Sequence, residues 1–203
     1  YMTKIKICGL SRLCDIDYVN TAMPDYIGFV FAPHSKRYVS PSQAAQLKAR
    51  LSPCIKAAGV FVDEEAENIL DIAGRGIIDI IQLHGSEDDH YISKLKAASD
   101  VPIIKAFSIK SKKDIQTAVL SSADYILLDN GAGGTGDAFN WSLISGISRP
   151  YFLAGGLTPN NVGQAVYKNH PFAVDASSGV ETNGFKDFDK IKLFIETVRK
   201  TNI

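Results

Sequence analysis

Short apolar runs alternate along the chain with longer stretches in which apolar residues recur at helical spacing, and the alternation repeats about every 25 residues. The runs predict strands over Lys4–Leu10, Tyr26–Phe31, Ala57–Asp63, Ile77–His84, Pro102–Ser108, Tyr125–Asn130, Tyr151–Gly155 and Ala173–Ala176. They are rich in Val, Ile, Leu or Phe, as parallel strands buried on both faces should be. Between them the pattern predicts helices near residues 12–22, 41–51, 64–74, 87–98, 111–121, 141–146, 159–169 and 186–200. Ser40-Pro41 places a capping hydroxyl before a proline at the first helical position, and Thr158-Pro159 repeats that pattern. Ser111 followed by Asp114 is close to a capping box, and Gly74 and Gly76 stop the third helix.

Strand and helix thus alternate eight times, which calls for a parallel sheet with right-handed crossovers. An open doubly wound sheet of this length usually has five or six strands. A dinucleotide-binding version would carry GxGxxG after its first strand, where this chain has Cys8-Gly9-Leu10. The expected fold is therefore α/β, a single-domain (β/α)8 TIM barrel of parallel strands over residues 1–203, at the short end of the range for such barrels. No linker, low-complexity tract or long charge run divides the chain. Tyr1, ahead of Met2, reads as a cloning leftover and is set aside.

Composition narrows the partners. Hydrophobic residues make up 45% of the chain and charged residues 22%, ordinary values for a globular protein. Lys plus Arg and Asp plus Glu each number 22, so the formal net charge is zero. That argues against a nucleic-acid or membrane-surface binder, which needs a basic excess. The apolar runs fall short of the roughly 20 residues that span a bilayer, and no secretory leader pattern is visible. Cys8, Cys14 and Cys54 form an odd set without CxxC or paired-His spacing. A disulfide framework and a structural zinc site are not expected, and a cytoplasmic location is.

In a barrel of this kind the chemistry sits at the C-terminal ends of the strands and in the loops after them. Strand parity selects the side chains that reach it. Ile5 and Ile7 share a parity suited to packing against helices, which turns Cys8 toward the barrel axis at the end of the first strand. Ile126 and Leu128 do the same for Asp129 on the sixth. A thiol and a carboxylate could therefore converge on one substrate. The alternatives are a small buried apolar residue for Cys8 and a loop or capping carboxylate for Asp129.

The later loops add signals. Gly155 and Gly156 follow strand seven, and Ser177, Ser178 and Gly179 follow strand eight. Phosphate sites in this fold are often built from those two loops, because glycine lets backbone amides approach an anion. Two tight turns needing positive φ are the alternative. Gly134, Thr135 and Gly136, after strand six, could offer amide donors to substrate or form a lid. Arg37, after strand two, suits a carboxylate or a second anion, or is an exposed surface arginine. His84, Asp175 and Lys105 could each touch substrate or sit in a satisfied interior network, the second reading being favoured for Lys105.

Taken together these residues resemble the phosphoribosylanthranilate isomerases of tryptophan biosynthesis. The resemblance runs from Lys4-Ile5-Lys6-Ile7-Cys8-Gly9-Leu10 to the terminal helix. It rests on Gly28-Phe29-Val30-Phe31, Ser35-Lys36-Arg37-Tyr38-Val39, Gly59-Val60-Phe61-Val62, Gln82-Leu83-His84-Gly85, Leu128-Asp129 before Gly134-Thr135-Gly136, Leu153-Ala154-Gly155-Gly156-Leu157 and Asp175-Ala176-Ser177-Ser178-Gly179-Val180-Glu181. The departures are small: Gly131-Ala132-Gly133 before the Gly-Thr-Gly, and Ala176 where a larger aliphatic residue is common.

The resemblance implies an Amadori rearrangement of N-(5-phosphoribosyl)anthranilate to 1-(2-carboxyphenylamino)-1-deoxyribulose 5-phosphate, without metal or organic cofactor. It implies Asp129 as general acid, Cys8 as general base and Arg37 on the anthranilate carboxylate. The phosphate would lie on Gly155, Gly156, Ser177, Ser178 and Gly179. The partner would be a small phosphorylated aminosugar, with the protein a monomer or homodimer. An ordinary Asp is ionised and an ordinary thiol neutral at pH 7, the reverse of what these roles need. The site should therefore raise Asp129 and lower Cys8 through positive potential. Four other readings compete. The histidine-pathway aminoaldose isomerase would carry Asp in place of Cys8, and indole-glycerol-phosphate synthase would want a Lys and Glu constellation and an N-terminal extension. A class I aldolase would need Lys105 as its Schiff-base lysine. A silent phosphate-ligand binder would have no reason to keep both Cys8 and Asp129.

Overall fold

The computed structural model describes residues 2–129, 141–144 and 146–201. Eight parallel strands pair in chain order: β1 (Lys4–Cys8), β2 (Tyr26–Val30), β3 (Lys56–Phe61), β4 (Ile80–Leu83), β5 (Ile103–Ser108), β6 (Tyr125–Asp129), β7 (Tyr151–Leu153) and β8 (Ala173–Ala176). β8 pairs with β1 and closes the barrel, the architecture the alternation predicted. Helices α1 (Leu13–Ala22), α2 (Pro41–Lys48), α3 (Ala66–Gly74), α4 (Asp89–Ala98), α5 (Lys112–Val119), α6 (Val162–Asn169) and α7 (Phe188–Thr201) complete the units. A short antiparallel hairpin, β9 (Glu181–Thr182) and β10 (Phe185–Lys186), lies between β8 and α7.

Local chemistry explains most boundaries. Ser40 accepts from the Gln43 amide at 3.2 Å with Pro41 at the first helical position, and Ser111 and Asp114 form a reciprocal capping box. α3 ends at Gly74, and Gly76 turns the chain at φ 67°. β1 stops at Cys8, short of the expected Leu10, because Gly9 adopts φ 81° and both Gly9 and Leu10 donate to the Gly28 carbonyl. The Thr158-Pro159 start is a correction. Asn161 accepts from the Thr158 amide at 2.8 Å and donates to the Gly156 carbonyl at 2.9 Å, so residues 158–161 form a turn and α6 begins at Val162. The helix expected near 141–146 is, among the described residues, one 3-10 turn at Trp141–Leu143.

Parity divides the strand residues into two layers. Ile5, Ile7, Ile27, Phe29, Ile126 and Leu128 face outward and join the buried faces of the helices in one core. Ala58, Ile80, Ile104, Leu127, Phe152 and Ala173 fill the barrel interior. Its N-terminal end is packed by aromatic rings, with Phe152 meeting Tyr26, Tyr125 and Phe172 edge-on at centroid distances of 5.6 to 5.7 Å. Three aspartates repeat one clamp on that face. Asp25, Asp79 and Asp124 precede β2, β4 and β6 and accept the backbone amides of Ile5, Ala57 and Ile103 on the neighbouring strands. Toward the opposite end the interior turns polar, with buried Lys6, Gln82 and Asp175.

Phe152 is fully buried at the centre of the aromatic layer. Phe152→Ala is expected to cost about 3–5 kcal/mol of stability, read as a lower urea midpoint. An unchanged midpoint would contradict this packing.

Candidate active site

A cavity of about 280 Å³ occupies the C-terminal mouth of the barrel. Cys8, Arg37, His84, Asp129, Gly155, Gly156, Asp175, Ser177, Ser178 and Gly179 all line it, joined by Val30, Val60 and Gln82. Gly134, Thr135 and Gly136 lie outside the described residues. Lys105 belongs elsewhere. It alternates with the inward Ile104 and Ala106, and its ammonium pairs with Glu87 at 2.8 Å and donates to the Gly85 carbonyl at 2.6 Å. The satisfied-network reading of Lys105 holds, and the aldolase reading loses its lysine.

Cys8 points inward because β1 alternates, and it is only 9% exposed. Gly28 stands beside it in register on β2, and a Cβ there would come within 2.6 Å of Sγ. Glycine at that position makes room for the thiol. Two residues back on the same face, Lys6 is fully buried and pairs with Asp175 at 2.8 Å. Burial pushes the Cys8 thiol up, Lys6 pulls it down, Asp175 pushes it up again, and Lys186 pulls it down. The net direction is upward. This corrects the expectation that positive potential would lower it: desolvation by burial outweighs the nearby cations.

Asp129 ends β6, with Oδ2 3.6 Å from His84 Nε2. The His84 ring is oriented from behind by Gln82, whose amide nitrogen lies 3.1 Å from Nδ1. Arg37 reaches over Gly9, where a Cβ would sit 2.3 Å from its Cδ. Its Nε and Nη2 donate to the two oxygens of Glu181, both at 2.7 Å. Lys186 pairs with the same carboxylate at 2.5 Å and donates to the Ser177 carbonyl at 3.0 Å. The hairpin carrying both residues turns on Asn183 at φ 53° and Gly184 at φ 81°. Arg12 fastens it to α1 by donating to the Lys186 carbonyl at 3.0 Å and lying 4.7 Å from the Phe185 ring centroid.

The glycine and serine loops meet on the far rim. Gly155 and Gly156 adopt φ 83° and 68°. Gly179 presses on the Leu157 carbonyl so closely that a Cβ would come within 1.9 Å. Positive φ thus holds for the loop after β7, while Gly179 is required by close approach and not by a positive φ, and both loops line the cavity.

Sequence reasoning missed Lys6, Gln82, Glu181 and Lys186 as parts of the site. Lys6 and Gln82 were within reach, since each lies two residues before an identified inward group. Asn183-Gly184 is a hairpin signal, but nothing local shows that its flanks return beneath Arg37.

The family model for N-(5'-phosphoribosyl)anthranilate (PRA) isomerase matches residues 5–197. The chain belongs to the PRA isomerase family. The N-(5'-phosphoribosyl)anthranilate isomerase of Endomicrobium trichonymphae is 45% identical over 202 residues, covering 98% of each chain. The solved phosphoribosyl anthranilate isomerase of Thermotoga maritima superposes with a TM-score of 0.90 at 40% identity, over 98% of this chain and all of that one. A phosphoribosyl anthranilate isomerase in complex with reduced 1-(o-carboxyphenylamino)-1-deoxyribulose 5-phosphate gives 0.88 at 39% identity, over 98% and 100%. The PRA isomerase resemblance read from the motifs is thereby confirmed at the level of the whole chain.

Glu181 supplies a pH-dependent tie in this family member. Burial would raise its carboxyl, but the Arg37 and Lys186 hydrogen bonds overcome that and hold it below the usual glutamate range. A depressed folded-state value stabilises the fold above the unfolded value of about 4.3 and is lost as pH falls through the folded one. Glu181→Gln should therefore melt earlier than the parent at neutral pH, and the difference should close as pH falls from about 4.3 through the folded-state value. Thermal melts across that range check this, and a constant difference at every pH would contradict it.

Proposed function

We infer that the chain catalyses the Amadori rearrangement of N-(5-phosphoribosyl)anthranilate to 1-(2-carboxyphenylamino)-1-deoxyribulose 5-phosphate, the isomerase step of tryptophan biosynthesis. The observation that carries the mechanism is the placement of Cys8 and Asp129 on one cavity whose rim is the two glycine and serine loops.

Asp129 acts as general acid. It gives its proton to the furanose ring oxygen while the anilino nitrogen's lone pair forms the C1–N double bond and the C1–O bond breaks. The resulting protonated Schiff base is an electron sink within the substrate, so the chemistry asks for no cofactor. Cys8 acts as general base. Its thiolate takes the C2 proton, the C–H electrons form the C1–C2 double bond, and the nitrogen recovers its lone pair. The enolamine then tautomerises to the ketone. One pass leaves Asp129 ionised and Cys8 protonated, the ordinary forms of both groups. The reactive pair is the less populated arrangement, and the substrate's own phosphate and carboxylate favour it by raising Asp129.

The remaining groups hold the sugar. Gly155, Gly156, Ser177, Ser178 and Gly179 take the phosphate with backbone amides and hydroxyls. Asp175 Oδ1 and Gln82 Oε1 are buried acceptors without hydrogen-bond partners among the described residues, and both residues line the cavity. Sugar hydroxyls satisfy them. His84 stands beside Asp129, where an imidazole can bond the opened chain. Arg37 keeps its third nitrogen for the anthranilate carboxylate, its plane fixed by the bidentate pair with Glu181.

Adding the protein to freshly made phosphoribosylanthranilate should extinguish that compound's fluorescence with turnover. Binding without loss of fluorescence would instead favour a silent phosphate-ligand binder. Cys8→Ala and Asp129→Asn should each lower kcat more than about a hundredfold, and near-parental turnover in either purified variant removes that residue from its role. Arg37→Ala should raise KM, and unchanged kinetics would take Arg37 off the substrate.

A further inference from the structure

Cys8 sits in an unusual charge environment. Lys6 faces it from its own strand, Asp175 from β8, Lys186 from β10 and Arg37 from the loop after β2. β2 itself contributes only Gly28 and Val30, while His84 and Asp129 stand at the same cavity. Arg37 and Lys186 share the carboxylate of Glu181. Lys6, with no exposure at all, has Asp175 as its ion-pair partner. Three cations thus face two carboxylates, and one positive charge is left over beside the thiol. When Asp129 carries its proton, a Cys8 thiolate is the anion that completes neutrality. A buried ammonium is costly to keep and needs a compensating gain.

We propose that Lys6 is a positioning residue that supplies the charge against which Cys8 ionises, and that Asp175 sets how much of that charge the thiol feels. The proposal rests on the reading of Cys8 as the base and adds to it the device that makes a desolvated thiol usable. Lys6 sits one inward position below Cys8 and in register with Asp175, so β1 and β8 hold cation, anion and thiol in fixed relation. Burial acts on the thiol in the opposite sense to Lys6, as the upward net direction shows. Asp175 competes with the thiol for the same ammonium.

The test measures the thiol directly in the ligand-free full chain. Iodoacetamide alkylation of the Cys8 peptide is followed by mass spectrometry across pH, with Cys14 and Cys54 as internal references for general loosening of the fold. Lys6→Met should move the Cys8 midpoint up by about one pH unit or more, a tenfold slower reaction at a fixed pH below the midpoint. Asp175→Asn should move it down, and Lys6→Arg should restore most of the Lys6→Met shift. The references should not move. If Lys6→Met does not fold, the neutral pair Lys6→Met/Asp175→Asn replaces it and must lie above Asp175→Asn alone. Opposite displacements support the proposal, and any other pattern overturns it. Turnover of Cys8→Ala separates the two claims. Loss of turnover with unmoved alkylation midpoints sinks only the role of Lys6, while retained turnover sinks the base itself.

Discussion

Closure of eight parallel strands fixes which side chains can reach the mouth of this barrel. Alternation leaves each strand one inward residue near its C-terminal end, and hydrogen bonding between neighbours holds that residue at a set height. Cys8, Val60, Gln82 and Asp129 reach the cavity this way, while Ile7, Leu83 and Leu128 are turned to the helices. A one-residue slip would exchange the two sets and put aliphatic groups where the thiol and carboxylate now stand. The outer core and the aromatic layer at the N-terminal end hold that register, so their packing fixes which side chains reach the cavity.

Within that frame, close approach is obtained by leaving side chains out. Gly28 yields its place to the thiol, Gly9 to the arginine that crosses it, and Gly179 to a neighbouring carbonyl. The charges are handled in a complementary way. Glu181 holds Arg37 and Lys186, Asp175 holds Lys6, and Glu87 holds Lys105 outside the barrel. Buried ions of this kind are weak contributors to stability and strong determinants of local potential. Of these, Lys6, Asp175, Arg37 and Lys186 act on one thiol and set its local potential.

The fold was legible because both faces of a buried parallel strand must be apolar, and eight such runs separated by helix-length segments leave few topologies. Parity alone places Cys8 and Asp129 inward. The loops after β7 and β8 were legible as glycine and serine clusters. Helix starts were less so. Thr158-Pro159 carries the same local chemistry as Ser40-Pro41, but Asn161 captures the Thr158 amide and delays the helix. The second tier of the site was hidden for a different reason. Lys186 and Glu181 meet Arg37 only after a hairpin and 144 residues of chain separation from Arg37 to Glu181, and no periodicity encodes that contact. The direction in which the Cys8 thiol is driven depends on competing burial and charge, which residue types alone do not weigh.

The proposed rearrangement requires thiol and carboxylate to attend one sugar whose phosphate is held between the loops after β7 and β8. A crystal structure with reduced 1-(o-carboxyphenylamino)-1-deoxyribulose 5-phosphate tests it most directly. The phosphate is expected on Gly155, Gly156 and Ser177–Gly179, the C2 centre within reach of Cys8 Sγ, and the former ring oxygen at Asp129. A phosphate seated on Arg37, or a ligand that leaves Cys8 and Asp129 facing different groups than these, would contradict it.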